Sequence, residues 1–174
     1  MICQDYTKNN FTYQQRPFDG LENTMIFIIL VLTIFLLDEK IKQYIEKNKE
    51  FNQEDFILGG TIRIEKHHNK GAMLNFLEKR SYIVKYTSAL LLGVLCVTFF
   101  HFLPKKREKL LTLSLALILG GACSNVYDRL KRGYVVDYFS FHYKKLKNII
   151  FNISDLFIMI GAFLMMIHSF LRKR

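Results

Sequence analysis

The sequence predicts a mainly α integral membrane protein, with four transmembrane helices and a small extracytoplasmic β-sheet built between helices 1 and 2 and between helices 3 and 4. Three observations carry this. Of 174 residues, 51 % are apolar, yet the mean hydropathy is only +0.12, so apolar and charged residues are segregated along the chain. Uncharged apolar runs recur along its length. The charge-dense loops between them hold short β-branched and aromatic patches. Such a chain is neither disordered nor an ordinary soluble domain. With 2 prolines and 9 glycines it is not fibrous or low-complexity either.

The first run is Asn23 to Leu37. It is short for a span of about 20 residues, but the helix can continue to Ile45 through Ile41 and Tyr44. Asp38 and Lys42 then share a helix face and can pair. The second run is Tyr86 to Leu103, and the third is Leu110 to Tyr127. The fourth is Leu156 to Leu171, with a possible start at Asn152. The last three give roughly 24–27 Å of helix at 1.5 Å per residue, close to a hydrocarbon core of about 30 Å. Helices are required because unpaired backbone groups are too costly in lipid. The competing reading is a soluble bundle with buried helices. Such helices carry a polar stripe, and LLLGVLCVTFF and LLTLSLALIL carry none.

Charge sets the expected orientation. The loop PKKREK (Pro104 to Lys109) and the terminal RKR (Arg172 to Arg174) belong on the cytoplasmic side. Both termini are then cytoplasmic, and Glu46 to Arg80 and Asp128 to Ile150 face outward. The second of these outward loops also carries basic residues, against the same rule. Residues 1–24 are polar and lack the pattern of a secretory leader. The expected organisation is a polar extension over 1–24 and a membrane domain over 25–174, with Met25 a candidate start.

In the loops, TIRIE (Thr61 to Glu65) alternates like a strand after Gly59-Gly60. YVVDYFSFHY (Tyr134 to Tyr143) is β-branched and aromatic, and NIIFN (Asn148 to Asn152) could pair with it. Cys3, Cys96 and Cys123 form no CxxC pair, so neither a zinc site nor a redox motif is expected. His67-His68 point to opposite sides of a strand and lack a third ligand, so no metal and no cofactor is expected. The net charge of +10 is spread over loops on both sides, which argues against a nucleic-acid partner. The basic loop and tail suit anionic membrane lipids instead.

Ionisable residues at membrane helix ends are expensive and usually functional. Here Asp38 and Lys42 end the first helix, Asn125, Asp128 and Arg129 end the third, and Asn152 and Asp155 begin the fourth. Asp137 lies between, in GYVVDYF. Two carboxylates brought together in a low dielectric titrate as a unit and hold one proton. Such a pair can activate water and protonate a carbonyl oxygen, which is aspartic-type peptide hydrolysis. Asp137 and Asp155 suit this best, each being flanked by apolar residues. The plainer alternative is that each Asp caps a helix or pairs with a nearby base. It is the better account of Asp38 and Asp128, and the helix dipole alone is an adequate account of Asp155.

At these residues the chain resembles the lipoprotein signal peptidase (signal peptidase II) family. The resemblance rests on LDEKIK (Leu37 to Lys42), HNKGA (His68 to Ala72), GGACSNVYDRLKRGYVVDYF (Gly120 to Phe139) and FNISD (Phe151 to Asp155). It runs from about Met25 to the C-terminus. It implies a bacterial cytoplasmic-membrane aspartic endopeptidase, expected to act as a monomer, that cleaves prolipoproteins before their lipid-modified cysteine. It implies Asp137 and Asp155 as the catalytic pair. Asn69, Asn125, Arg129 and Asn152 would line the site or hold the substrate, and Asp38, Lys42, Gly71 and Asp128 would support it. Ser124 and Ser154 depart from the family's usual Gly and Ala, Glu39 from a common Gln, and AMLNF from the usual sequence after NKG. The expectation for Ser154 is a hydroxyl donated to Asp155. These departures also motivate a second reading, a non-catalytic lipoprotein-binding paralogue. A proton or ion carrier is a third, weakened because the carboxylates lie toward one face.

Overall fold

The computed structural model describes residues 19–72, 77–143 and 148–172. Helix α1 spans Asp19–Asn48 and is followed by strands β1 (Asp55–Ile57) and β2 (Ile62–Asn69). Helices α2 (Ser81–Phe102) and α3 (Lys109–Lys131), strand β3 (Val135–Phe141) and helix α4 (Ile153–Arg172) complete the chain. The four apolar runs thus fall on the four helices. Among the described residues, three segments are long and apolar enough to cross a membrane: Glu78–Phe102, Lys106–Lys131 and Ile153–Arg172.

Helix α3 is the axis of the bundle. More than half of its apolar stretch is buried, whereas only about a tenth of the stretch in α2 and in α4 is. Exposed Ile29, Leu32 and Leu36 on α1, Leu90, Val94 and Val97 on α2, and Met159, Phe163 and Met166 on α4 present aliphatic and aromatic surface to the surroundings. An apolar surface of that extent marks contact with something other than water. Inside, Phe99, Leu115, Ala116 and Leu119 form one buried cluster, with Phe27, Leu30 and Val31 of α1 packed against it.

Helices meet closely at glycine. A Cβ on Gly121 would lie 2.5 Å from the Ser154 carbonyl oxygen, and one on Gly161 would lie 2.7 Å from the Ser114 carbonyl oxygen. Both positions bring α4 against α3 with nothing between. Gly120 does the same for α1, where a Cβ would lie 2.9 Å from the Ile34 Cβ. Gly133 ends α3 with φ +83°, a left-handed turn that turns the chain into β3 at little steric cost.

The sheet is antiparallel, in the order β1-β2-β3. Its strands come from the two segments expected to supply them, with three differences. Strand β2 runs on through Glu65 to Asn69, past the alternating pattern, because pairing with β3 satisfies its backbone; an irregularity between Ile64 and His67 shifts the register. Strand β1 gave no signal in the sequence, being three exposed residues. The NIIFN segment adds no strand and pairs with β3 through an isolated Phe139–Phe151 bridge. Val136, Tyr138 and Phe139 pack with Ile45 of α1, which seats the sheet on the ends of α1 and α4. The basic loop Lys144–Lys147, Met73 to Phe76 of the AMLNF departure, most of the 1–24 extension and the last two residues lie outside the described residues.

The tight crossing predicts that Gly121→Ala costs about 1–3 kcal/mol of overpacking, since its obstacle is backbone. Thermal unfolding in detergent checks this. Gly93→Ala on α2, where a Cβ meets nothing within 4 Å, is the control and should not lower the transition, since Ala favours a helix over Gly.

Candidate active site

Helical spacing gives α3 two polar faces at its C-terminal end. Ser124 and Asp128 look toward α1, and Asn125 and Arg129 line a cavity with residues of β3 and α4. Strand alternation does the same for β3: Val135 and Asp137 line the cavity, while Val136 and Tyr138 pack behind it. The cavity holds about 300 Å³, and Asn69, Asp155, Ile158 and Met159 complete much of its wall.

Asn152 joins the two carboxylates that the sequence singles out. Its Nδ2 donates to Asp137 Oδ1 at 2.8 Å, and its backbone N–H donates to Asp155 Oδ2 at 3.1 Å. In return Asn152 Oδ1 accepts the Asp155 backbone N–H at 2.9 Å. This reciprocal pair is a capping box, with Asn152 at the N-cap of α4 and Asp155 in its first turn. The other carboxylate oxygens also accept amides: Asp137 Oδ2 from Asn69 Nδ2 at 3.1 Å, and Asp155 Oδ1 from Asn125 Nδ2 at 2.9 Å. Asp137 is buried. Burial pushes its carboxyl up to about 7, the neighbouring Asp155 adds to the rise, and the amides of Asn69 and Asn152 oppose it.

Arg129 spans the cavity edge. Its Nη2 donates to the Gly71 carbonyl at 3.0 Å and its Nη1 to the Asn125 carbonyl at 3.3 Å. Its buried Nε has no hydrogen-bond partner among the described residues. Gly71 N–H donates to Asn69 Oδ1 at 3.1 Å, so Asn69 is held at both ends of its amide.

Behind this layer lies a buried ion cluster. Lys42, Asp38 and Asp128 have fully buried side chains, with Lys42 Nζ 2.8 Å from Asp38 Oδ2 and 3.0 Å from Asp128 Oδ2. Lys42 also donates to Asn125 Oδ1 at 3.0 Å, which couples the cluster to the cavity wall. Asp128 Oδ2 accepts the Val136 backbone N–H at 3.1 Å, and its Oδ1 pairs with Arg132. Arg132 reaches Glu39, one of the departures from the family pattern, at 3.4 Å.

The ten residues selected from the sequence therefore form one connected network. One expectation is corrected. Ser154 does not donate to Asp155; its side chain turns toward α1 and donates to Asp38 Oδ2 at 2.6 Å. Helix geometry explains this, because consecutive residues lie about 100° apart around the axis. Ser124 donates to the same oxygen at 2.6 Å, and Tyr138 OH donates to Asp38 Oδ1 at 3.0 Å. The role of Tyr138 gave no signal in the sequence beyond its alternation with Asp137. His68 stacks on Tyr134 at 3.8 Å and bonds to Glu46, away from the cavity.

Residues 30–171 match the signal peptidase (SPase) II family. A protein of Clostridium tetani named lipoprotein signal peptidase is 34 % identical over 145 residues, covering 82 % of this chain and 90 % of its own. One of Pasteurella multocida with the same name is 34 % identical over 146 residues, covering 83 % and 88 %. This chain belongs to the signal peptidase II family. Two solved structures share its fold. A bacterial membrane enzyme determined by the in meso method at 2.3 Å resolution superposes with a TM-score of 0.75 at 20 % identity, over 86 % of this chain and 90 % of that one. Another, at 1.9 Å, gives 0.69 at 20 % identity over 83 % and 92 %.

The ion cluster predicts that Lys42→Met, which leaves two buried carboxylates without their cation, costs about 3–5 kcal/mol. Thermal unfolding in detergent measures it. Lys49→Met, whose partner Asp55 is half exposed, should change the midpoint little.

Proposed function

We propose that this protein is a membrane aspartic endopeptidase that removes signal peptides from prolipoproteins, cleaving before the lipid-modified cysteine. Asp137 and Asp155 are its catalytic pair. The observation that carries the reading is that two carboxylates from separate elements share one asparagine and open onto one cavity. Family membership supplies the substrate class, as the named relatives are lipoprotein signal peptidases.

The membrane arrangement belongs to the proposal. Helix α1 is the fourth span, its exposed Ile26, Ile29, Leu32 and Leu36 facing acyl chains. The PKKREK loop joins α2 to α3 at the bundle end opposite the sheet, and Arg172 ends α4 there. Basic residues at that end favour the cytoplasmic side. Both termini are then inside, and the cavity and sheet face outward. The protein acts as a monomer among membrane lipids, and the substrate's acyl chains remain in lipid while its scissile bond enters the cavity.

In the reaction Asp137 holds the shared proton, as its raised titration range allows at neutral pH. Asp155 takes a proton from the attacking water. Asp137 gives its own to the carbonyl oxygen. A tetrahedral gem-diol forms, the C–N bond breaks, and the leaving amine takes the proton from Asp155. Reprotonation of Asp137 from the collapsing gem-diol restores the pair. Arg129 and the asparagines hold the substrate backbone in line, and orientation of this kind removes several kcal/mol of barrier.

Asp137→Asn and Asp155→Asn should each lower cleavage of a lipidated prolipopeptide in detergent by roughly 10²–10⁴-fold or more while leaving the protein inserted. Normal turnover in either variant overturns the assignment. The pH profile has a fixed sign. Because catalysis needs Asp137 protonated, kcat should fall as pH rises through about 7. A rate that instead climbs through that range would assign the proton elsewhere.

A further inference from the structure

Two buried serines outside the cavity wall converge on a single atom. Ser124 Oγ and Ser154 Oγ both donate to Asp38 Oδ2 at 2.6 Å, and both residues are fully buried. That length belongs to charge-assisted O–H···O⁻ bonds. Lys42 Nζ donates to the same oxygen and, at 3.0 Å, to Ser124 Oγ. Neither hydroxyl reaches the cavity, yet each sits beside a residue that does. Ser124 precedes Asn125 on α3, and Ser154 precedes Asp155 on α4. Asn125 and Asp155 are themselves bonded across the two helices at 2.9 Å. A second route joins Asp38 to the start of α4: Tyr138 OH donates to Asp38 Oδ1 and accepts the Ile153 N–H at 2.9 Å.

We infer that Ser124 and Ser154 are positioning residues, whose hydroxyls tie α3 and α4 to one oxygen of Asp38 and so fix the aim of Asp155 relative to Asn125. The inference rests on the proposed proteolytic function. The tie is serial, running from α3 through Ser124, Asp38 and Ser154 to α4. Breaking either link interrupts this tie and leaves the Asn125–Asp155 bond and the Tyr138 route to hold α4 alone, a looser mount for the carboxylate. Misplacement of a reacting group by about 1 Å costs up to 10²-fold in rate, so a small loosening is measurable.

The test is a double-variant cycle on lipidated prolipopeptide cleavage in detergent. Ser124→Ala and Ser154→Ala should each lower kcat by about tenfold, with KM within roughly twofold, as neither touches substrate. The double variant should lose no more than the worse single one, the mark of links in series. Ser114→Ala is the control. That serine is equally buried on α3, but its hydroxyl donates within its own helix to Leu110 at 2.7 Å, so its kcat should hold. If the Ala variants do not fold, Ser→Cys at the two sites makes the same comparison. It fills the space with a weak donor, and kcat should fall likewise.

Wild-type kcat in the single variants overturns the inference. So does a double variant whose losses multiply to about a hundredfold, or a rise in KM alone. The wild type and Asp137→Asn run alongside. A wild type that never cleaves, or an active Asp137→Asn, removes the proteolytic reading and this inference with it. A cleaving wild type, a silent Asp137→Asn and unaffected serine variants remove this inference alone.

Discussion

The structure around the cavity depends on one buried ammonium group. Lys42 Nζ is held by Asp38, Asp128, Ser124 and Asn125, which come from α1 and α3. A charge in such a place is tolerated only with complete partners, because the loss of solvation is severe. The requirement works in both directions. It forces α1 and α3 into a fixed register, and through Asp128 and the Val136 N–H it also sets where β3 leaves α3. Asp137 lies one residue further along that strand. The placement of the cavity's acid therefore begins with an ion cluster that never meets the cavity space.

Lipid-facing packing does the rest. The bundle cannot rely on burial of apolar side chains against water for helix association inside a membrane, so close contact and polar ties take its place. Glycines 120, 121 and 161 supply the contact, letting α1 and α4 lie directly against α3. Gly121 does this at the carbonyl of Ser154, in the first turn of α4. Steric fit and the serine hydroxyls thus act at the same level of the bundle.

Much of this was legible in the sequence, for identifiable reasons. Hydropathy locates the helices because lipid demands long uncharged runs, as in α2 and α3. The residues Asp38, Lys42, Asn125, Asp128, Arg129, Asp137, Asn152 and Asp155 stand out because polar and ionisable side chains beside long apolar runs are expensive. Asn69 and Gly71 came only through the family resemblance, and no local pattern marks them. What stayed hidden depends on distance in space. Ser124, Ser154 and Tyr138 are ordinary residues until three helices and a strand bring them to Asp38. Strand β2 outruns its alternating segment because β3 supplies partners from far along the chain. Strand β1 is too short and too exposed to leave a pattern.

The capping box at Asn152 and Asp155 has an evolutionary consequence. One carboxylate both starts a helix and faces the cavity, so the architecture and the proposed chemistry lean on a shared side chain. An amide in its place would still offer an oxygen to the Asn152 N–H, and the helix would keep its beginning. On the proposed catalytic pair, descendants that bind lipoproteins without cutting them are therefore a single codon change away.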